Sequence, residues 1–109
     1  MQAEPFNQDY SVQLSGTGAG SVSFGPNRIG QSWTGPMTVA VKTSTANLVP
    51  TAEVFLDTVS LGSTYVGSGD SNDIPNVTVH VGQKIRVAWT GGDAGAVATA
   101  SLTCTLNRW

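Results

Sequence analysis

Apolar residues along this chain recur at every second position, and no segment of helical length carries a 3.6-residue apolar repeat. Val12 and Leu14 share one face of a segment spanning 10–15. After the turn Gly16-Thr17-Gly18-Ala19-Gly20, Val22 and Phe24 share a face in 21–24. The two segments predict an opening hairpin, with glycine supplying the positive φ of its turn. Met37, Val39 and Val41 alternate through 37–43, and Val54 to Leu56 mark a strand in 52–58, with a shorter one at 63–66. Residues 67–75 are almost all turn formers and predict a loop. Strands then follow at 76–81, with Val77, Val79 and Val81 in phase, and at 84–90, with Ile85, Val87 and Trp89 in phase. The last strand is the clearest, with Ala98, Ala100, Leu102, Cys104 and Leu106 inward and Thr99, Ser101, Thr103 and Thr105 outward.

Short strands at a spacing of about 8–12 residues, separated by Gly- and Pro-rich turns, predict an all-β fold. The expected class is an antiparallel β-sandwich, Ig-like or jelly-roll-like, of about seven or eight short strands. A small closed barrel is the alternative. Residues 10–109 form the single sandwich domain in this reading. Residues 1–9, with Pro5 and mixed polarity, read as an N-terminal arm. Deleting residues 2–9 is therefore expected to leave the fold intact.

Composition narrows the function. Only 11% of the 109 residues are charged, where soluble domains average roughly a quarter. Five Lys and Arg against seven Asp and Glu leave no basic footprint, so nucleic acid is not an expected partner. The longest apolar runs fall well short of the roughly 20 residues that span a bilayer as a helix, and no membrane partner is expected. Residues 1–5 have neither the basic nor the apolar region of a secretory signal. A single Cys excludes a disulfide framework within the chain and a cysteine-rich zinc site.

Candidate chemistry is sparse. His80 falls on the outward phase of its strand and Cys104 on the inward phase of the last, so no catalytic pair is expected. Asp70, Asn72 and Asp73 offer oxygen ligands of the kind Ca²⁺ takes, but the glycine and glutamate that complete an EF-hand loop are missing. A solvated Asx-turn is the competing reading, and no cofactor or metal is expected. Among the aromatics, Trp89 reads as core. Trp33 sits in an expected loop, and with Tyr65 it is a candidate to face a ligand such as a sugar. Phe6 and Tyr10 near one terminus, and Trp109 at the other, are candidate hydrophobic contacts in an assembly.

One series of residues carries a resemblance. Trp33 is followed by Thr38-Val39-Ala40-Val41, Pro50, Val54-Phe55, Ser63-Thr64-Tyr65 and Gly69-Asp70-Ser71. Gly82 then leads to Val87-Ala88-Trp89-Thr90-Gly91-Gly92-Asp93-Ala94-Gly95-Ala96 and Ala98-Thr99-Ala100. Over residues 20–106 the chain resembles small β-rich proteins encoded among the structural genes of actinobacterial phages. The Trp-Thr-Gly-Gly-Asp-Ala-Gly-Ala stretch reads as a turn capped by Asp93, which marks a fold more than an activity. The resemblance implies a non-enzymatic virion protein, made in the bacterial host cytoplasm and docked in many copies, or as a homo-oligomer, on major capsid or tail proteins. Capsid decoration is the expected role. A minor tail protein and a carbohydrate-binding module for host-surface glycans are the alternatives.

Overall fold

The computed structural model describes residues 2–64 and 66–108. Among them are nine strands and no helix. The strands are β1 (Gln2–Gln13), β2 (Gly20–Phe24), β3 (Gln31–Thr43), β4 (Thr51–Leu56), β5 (Val59–Thr64), β6 (Gly69–Ile74), β7 (Thr78–His80), β8 (Ile85–Thr90) and β9 (Val97–Arg108). One sheet has the order β1-β9-β3-β6, with β7 continuing the edge beside β3, and the second has the order β2-β8-β4-β5. Every pair is antiparallel.

The pairing follows one rule. The first strand pairs with the last, β2 with β8, β3 with the β6–β7 edge, and β4 with β5. That is a long antiparallel ribbon folded over on itself, with the β4–β5 hairpin at its tip, and it defines a jelly roll. The tip turns at Asp57, which takes φ 54°, a conformation that Asp tolerates better than most residues. Asp57 also locks the tip onto the start of β8. Its backbone N–H donates to the Lys84 carbonyl at 2.8 Å, and its carboxylate accepts the Lys84 N–H at 3.0 Å.

The inward residues of both sheets meet in one core. Trp89, Met37, Ile85, Leu102, Val39, Val54, Val79 and Val87 are fully buried. Each side chain of this size contributes about 1.5–3 kcal/mol on burial, so the alternating positions supply the main drive to fold. Ala98 and Ala100 keep the central β9 slim where it crosses that core.

Three expectations change. The opening hairpin does not form, because β1 and β2 lie in opposite sheets and the chain crosses the sandwich between them. Most of residues 67–75 is strand rather than loop: β6 pairs in register with Met37 to Lys42. An edge strand needs only backbone partners on one side, so turn-forming side chains are tolerated there. Residues 2–9 are not a free arm. They pair one for one with Arg108 back to Ser101 on β9, and Phe6 packs on Trp33. Deleting them would strip a partner from the central strand, so a truncation cannot separate docking from folding.

Candidate functional site

The register of the larger sheet decides which side chains share its outer face. Ser11, Thr99 and Lys42 lie in one cross-strand row. Asp9, Ser101, Ala40 and Ser71 form the next, and Asn7, Thr103, Thr38 and Asp73 the third. The face is thus an array made mostly of short hydroxyl side chains, with one charged residue, Lys42, Asp9 or Asp73, in each row. Ser11 Oγ and Thr99 Oγ1 share a hydrogen bond of 2.9 Å, and Thr38 Oγ1 donates to Asp73 Oδ1 at 3.1 Å. Cross-strand bonds of this kind fix the rotamers of the side chains that make them.

The two ends of the sandwich add apolar tips that alternation does not reveal. Ile29, in the β2–β3 connection, is 97% exposed, and Leu48 and Val49 stand out from the β3–β4 connection. Val66 joins the latter pair, because Gly67 N–H donates to the Pro50 carbonyl and draws the two loops together. The signal in the sequence is an isolated apolar residue among turn formers, as in Asn27-Arg28-Ile29-Gly30.

The Trp-Thr-Gly-Gly-Asp-Ala-Gly-Ala stretch holds the Leu48 end together. Trp89 Nε1 donates to the Gly67 carbonyl at 3.1 Å within the core. Gly92 N–H donates to the Gly18 carbonyl, and Gly95 N–H to that of Leu14. Asp93 does not cap its own turn as the sequence predicts. Its carboxylate instead accepts Thr45 Oγ1 at 2.8 Å and the backbone N–H groups of Asn47 and Leu48 at 2.9 and 2.8 Å, ordering the β3–β4 connection.

These bonds, that from Thr45 first, hold the Asp93 carboxyl below the usual carboxylate range. A depressed folded-state pKa contributes stability above the unfolded pKa and loses it as pH falls through the folded one. Urea denaturation should therefore show wild-type stability dropping more steeply than that of Asp93→Asn between about pH 5 and about pH 2. Parallel curves for the two proteins would show that Asp93 is not a determinant of that loop.

The aromatic candidates are distributed differently from expectation. Trp33 lies within β3, is only 3% exposed, and stacks on Phe6 with ring centroids 5.0 Å apart. It is a core residue and not a platform facing solvent, because the inward phase of β3 carries it under β1. Phe6 and Tyr10 both occupy the inward phase of β1, with Tyr10 stacked on Phe24 at 4.1 Å. Both rings remain partly exposed. Burial, and then the neighbouring Cys104, push the Tyr10 hydroxyl above its ordinary pKa. Burial raises the Cys104 thiol to about 11, so it stays protonated and inert as a nucleophile. Tyr65 and Trp109 lie outside the described residues.

Other sequence candidates do not converge. Strand alternation sends Asp70 and Asn72 to the face opposite Asp73, and among the described residues no cluster of three or more His, Cys, Asp or Glu is placed to hold a metal. His80 is exposed and lies opposite Ser32, which in turn lies opposite Asn107. Ser32 is 1% exposed, and no hydrogen bond joins it to His80, so this row presents no accessible nucleophile. No protein-family model matches the chain, and no curated protein matches it.

Proposed function

We propose that this chain is a non-enzymatic structural protein of a virion, a capsid decoration protein that docks in many copies on the major capsid protein. The observation that carries the reading is the outer face of the larger sheet, three rows made mostly of short polar side chains, with one charged residue in each row and cross-strand hydrogen bonds in two of them. Low charge lets identical copies crowd on one shell without strong mutual repulsion. The apolar tips Ile29 and Leu48-Val49 supply exposed anchors at the two ends of that face, to be desolvated on docking. The resemblance to phage structural proteins points the same way, with the virion as location and other virion proteins as partners. Mass spectrometry of purified virions tests it. Hundreds of copies per particle are expected, tens or fewer would assign the chain to the tail, and its absence would overturn both roles.

A further inference from the structure

The two sheets of the sandwich differ in length, and the difference uncovers an inner face. Strands β1, β3 and β9 have 12, 13 and 12 residues, whereas β2 and β8 have five and six. At about 3.4 Å per residue the longer strands outreach the shorter ones by roughly 20 Å. Where the smaller sheet stops, the β2–β3 connection stands over the exposed end of the larger one. Between them runs a groove of about 460 Å³, within the range of ligand sites, roughly 300–1,000 Å³.

The groove is built from three kinds of side chain. Phe6 and Tyr10 of β1 line it with rings held from behind by Trp33 and Phe24. Four residues along a strand set those two rings roughly 13–14 Å apart, a span of two to three pyranose units. Gln8, exposed and on the same phase, lies between them, and Asn27 and Gln31 face it from the β2–β3 side. Two guanidinium groups complete the lining. Arg108 is held by Glu4 at 2.6 Å, whereas Arg28 is exposed and makes no salt bridge among the described residues.

Guanidinium groups set beside aromatic rings distinguish this groove. Asp and Glu outnumber Lys and Arg by seven to five in the chain, yet among the described residues no carboxylate lines it. Supported aromatic rings offer an apolar plane to the C–H face of a sugar. Side-chain amides match vicinal hydroxyls as paired donors and acceptors, and a free guanidinium takes a carboxylate through two parallel bonds. The geometry points to a binding site for an acidic oligosaccharide, with uronate rings lying along Phe6, Gln8 and Tyr10 and one carboxylate on Arg28. The site is separate from the outer face and does not depend on the docking role.

Titration of the full chain with trigalacturonate, followed calorimetrically and by the NMR signals of the Gln8, Asn27 and Gln31 amides and the Trp33 indole, tests the assignment. Saturable binding is expected, with those signals moving together. The methyl-esterified trisaccharide, which keeps the rings but loses the charge, should bind at least about tenfold more weakly. Arg28→Ala and Gln8→Ala alter exposed side chains, and thermal melting confirms that both variants remain folded. Each should weaken trigalacturonate, Arg28→Ala by about tenfold or more. No binding at about 10 mM, equal affinity for the methyl ester, or unchanged affinity in folded Arg28→Ala would each overturn the site. A tetraglutamate peptide binding as tightly as the saccharide would overturn it in favour of an acidic protein segment.

Discussion

Trp89→Ala is expected to lose about 3–5 kcal/mol of unfolding free energy, the range for deleting a large aromatic side chain from a core. Trp89 is fully buried at the centre of the smaller sheet, where β8 runs between β2 and β4. Its partners across the strands are Gly20 and Ala52, too small to close over the cavity that truncation leaves. The indole also gives the Gly67 carbonyl its partner, and removing it strands that carbonyl in the interior. Against the 5–15 kcal/mol typical of a domain, such a loss leaves a substantial unfolded population. Trp89→Phe separates the two contributions, because it keeps most of the volume and loses the hydrogen bond. Urea denaturation followed by circular dichroism measures both, and a loss below about 1 kcal/mol in Trp89→Ala would contradict this packing.

Gly18→Ala has the second large effect, through the backbone rather than the core. Gly18 takes φ +73°, and a Cβ built there would fall 1.8 Å from the Gly92 carbonyl oxygen and 2.7 Å from the Gly92 nitrogen. Both atoms belong to the main chain, so no side chain can rotate away. The β1–β2 connection must pull back from the β8–β9 connection and release the Gly92 N–H to Gly18 carbonyl bond of 3.0 Å. A loss of about 3 kcal/mol or more is expected, from the strained φ and the broken approach together. Gly16→Ala is the matched control two residues earlier, where a Cβ meets nothing within 4 Å. It should change stability by no more than about 0.5 kcal/mol. Equal effects of the two substitutions would show that the connections do not touch.

The two substitutions mark different degrees of legibility. Trp89 was readable because Ile85, Val87 and Trp89 alternate, and alternation reports burial directly. Gly18 was readable only as a turn residue. Its contact with Gly92 joins positions 74 residues apart, and no local pattern records a contact at that separation. The sequence places Trp33 in a loop for a related reason. The turn formers before it and the Gly35-Pro36 pair after it mask the strand phase, and its burial comes from Phe6 on β1, a strand distant in sequence.

The candidate sites follow the same division. That Thr99, Ser101, Thr103 and Thr105 face outward was legible from period two, but the neighbours that complete their rows come from β1, β3 and the β6–β7 edge. Asp70, Asn72 and Asp73 looked like one cluster because they are adjacent in sequence. Pairing with β3 divides them between the two faces of the sheet. The groove beside Phe6 and Tyr10 was not legible at all. It exists because three long strands outreach a smaller sheet, and strand length at an edge depends on pairing that neither propensity nor periodicity encodes.

By itself, then, the order of residues determined an all-β domain, the inward and outward sets of its central strands, and a surface poor in charge. Those properties are local, arising from alternation, β-branching and turn chemistry within a few residues. Only the tertiary structure decided that the first strand pairs with the last, that the opening segments lie in opposite sheets, and that Asp93 orders a neighbouring loop. Antiparallel strands accept many partners on backbone hydrogen bonds alone, so the choice among them rests on the packing of the whole core.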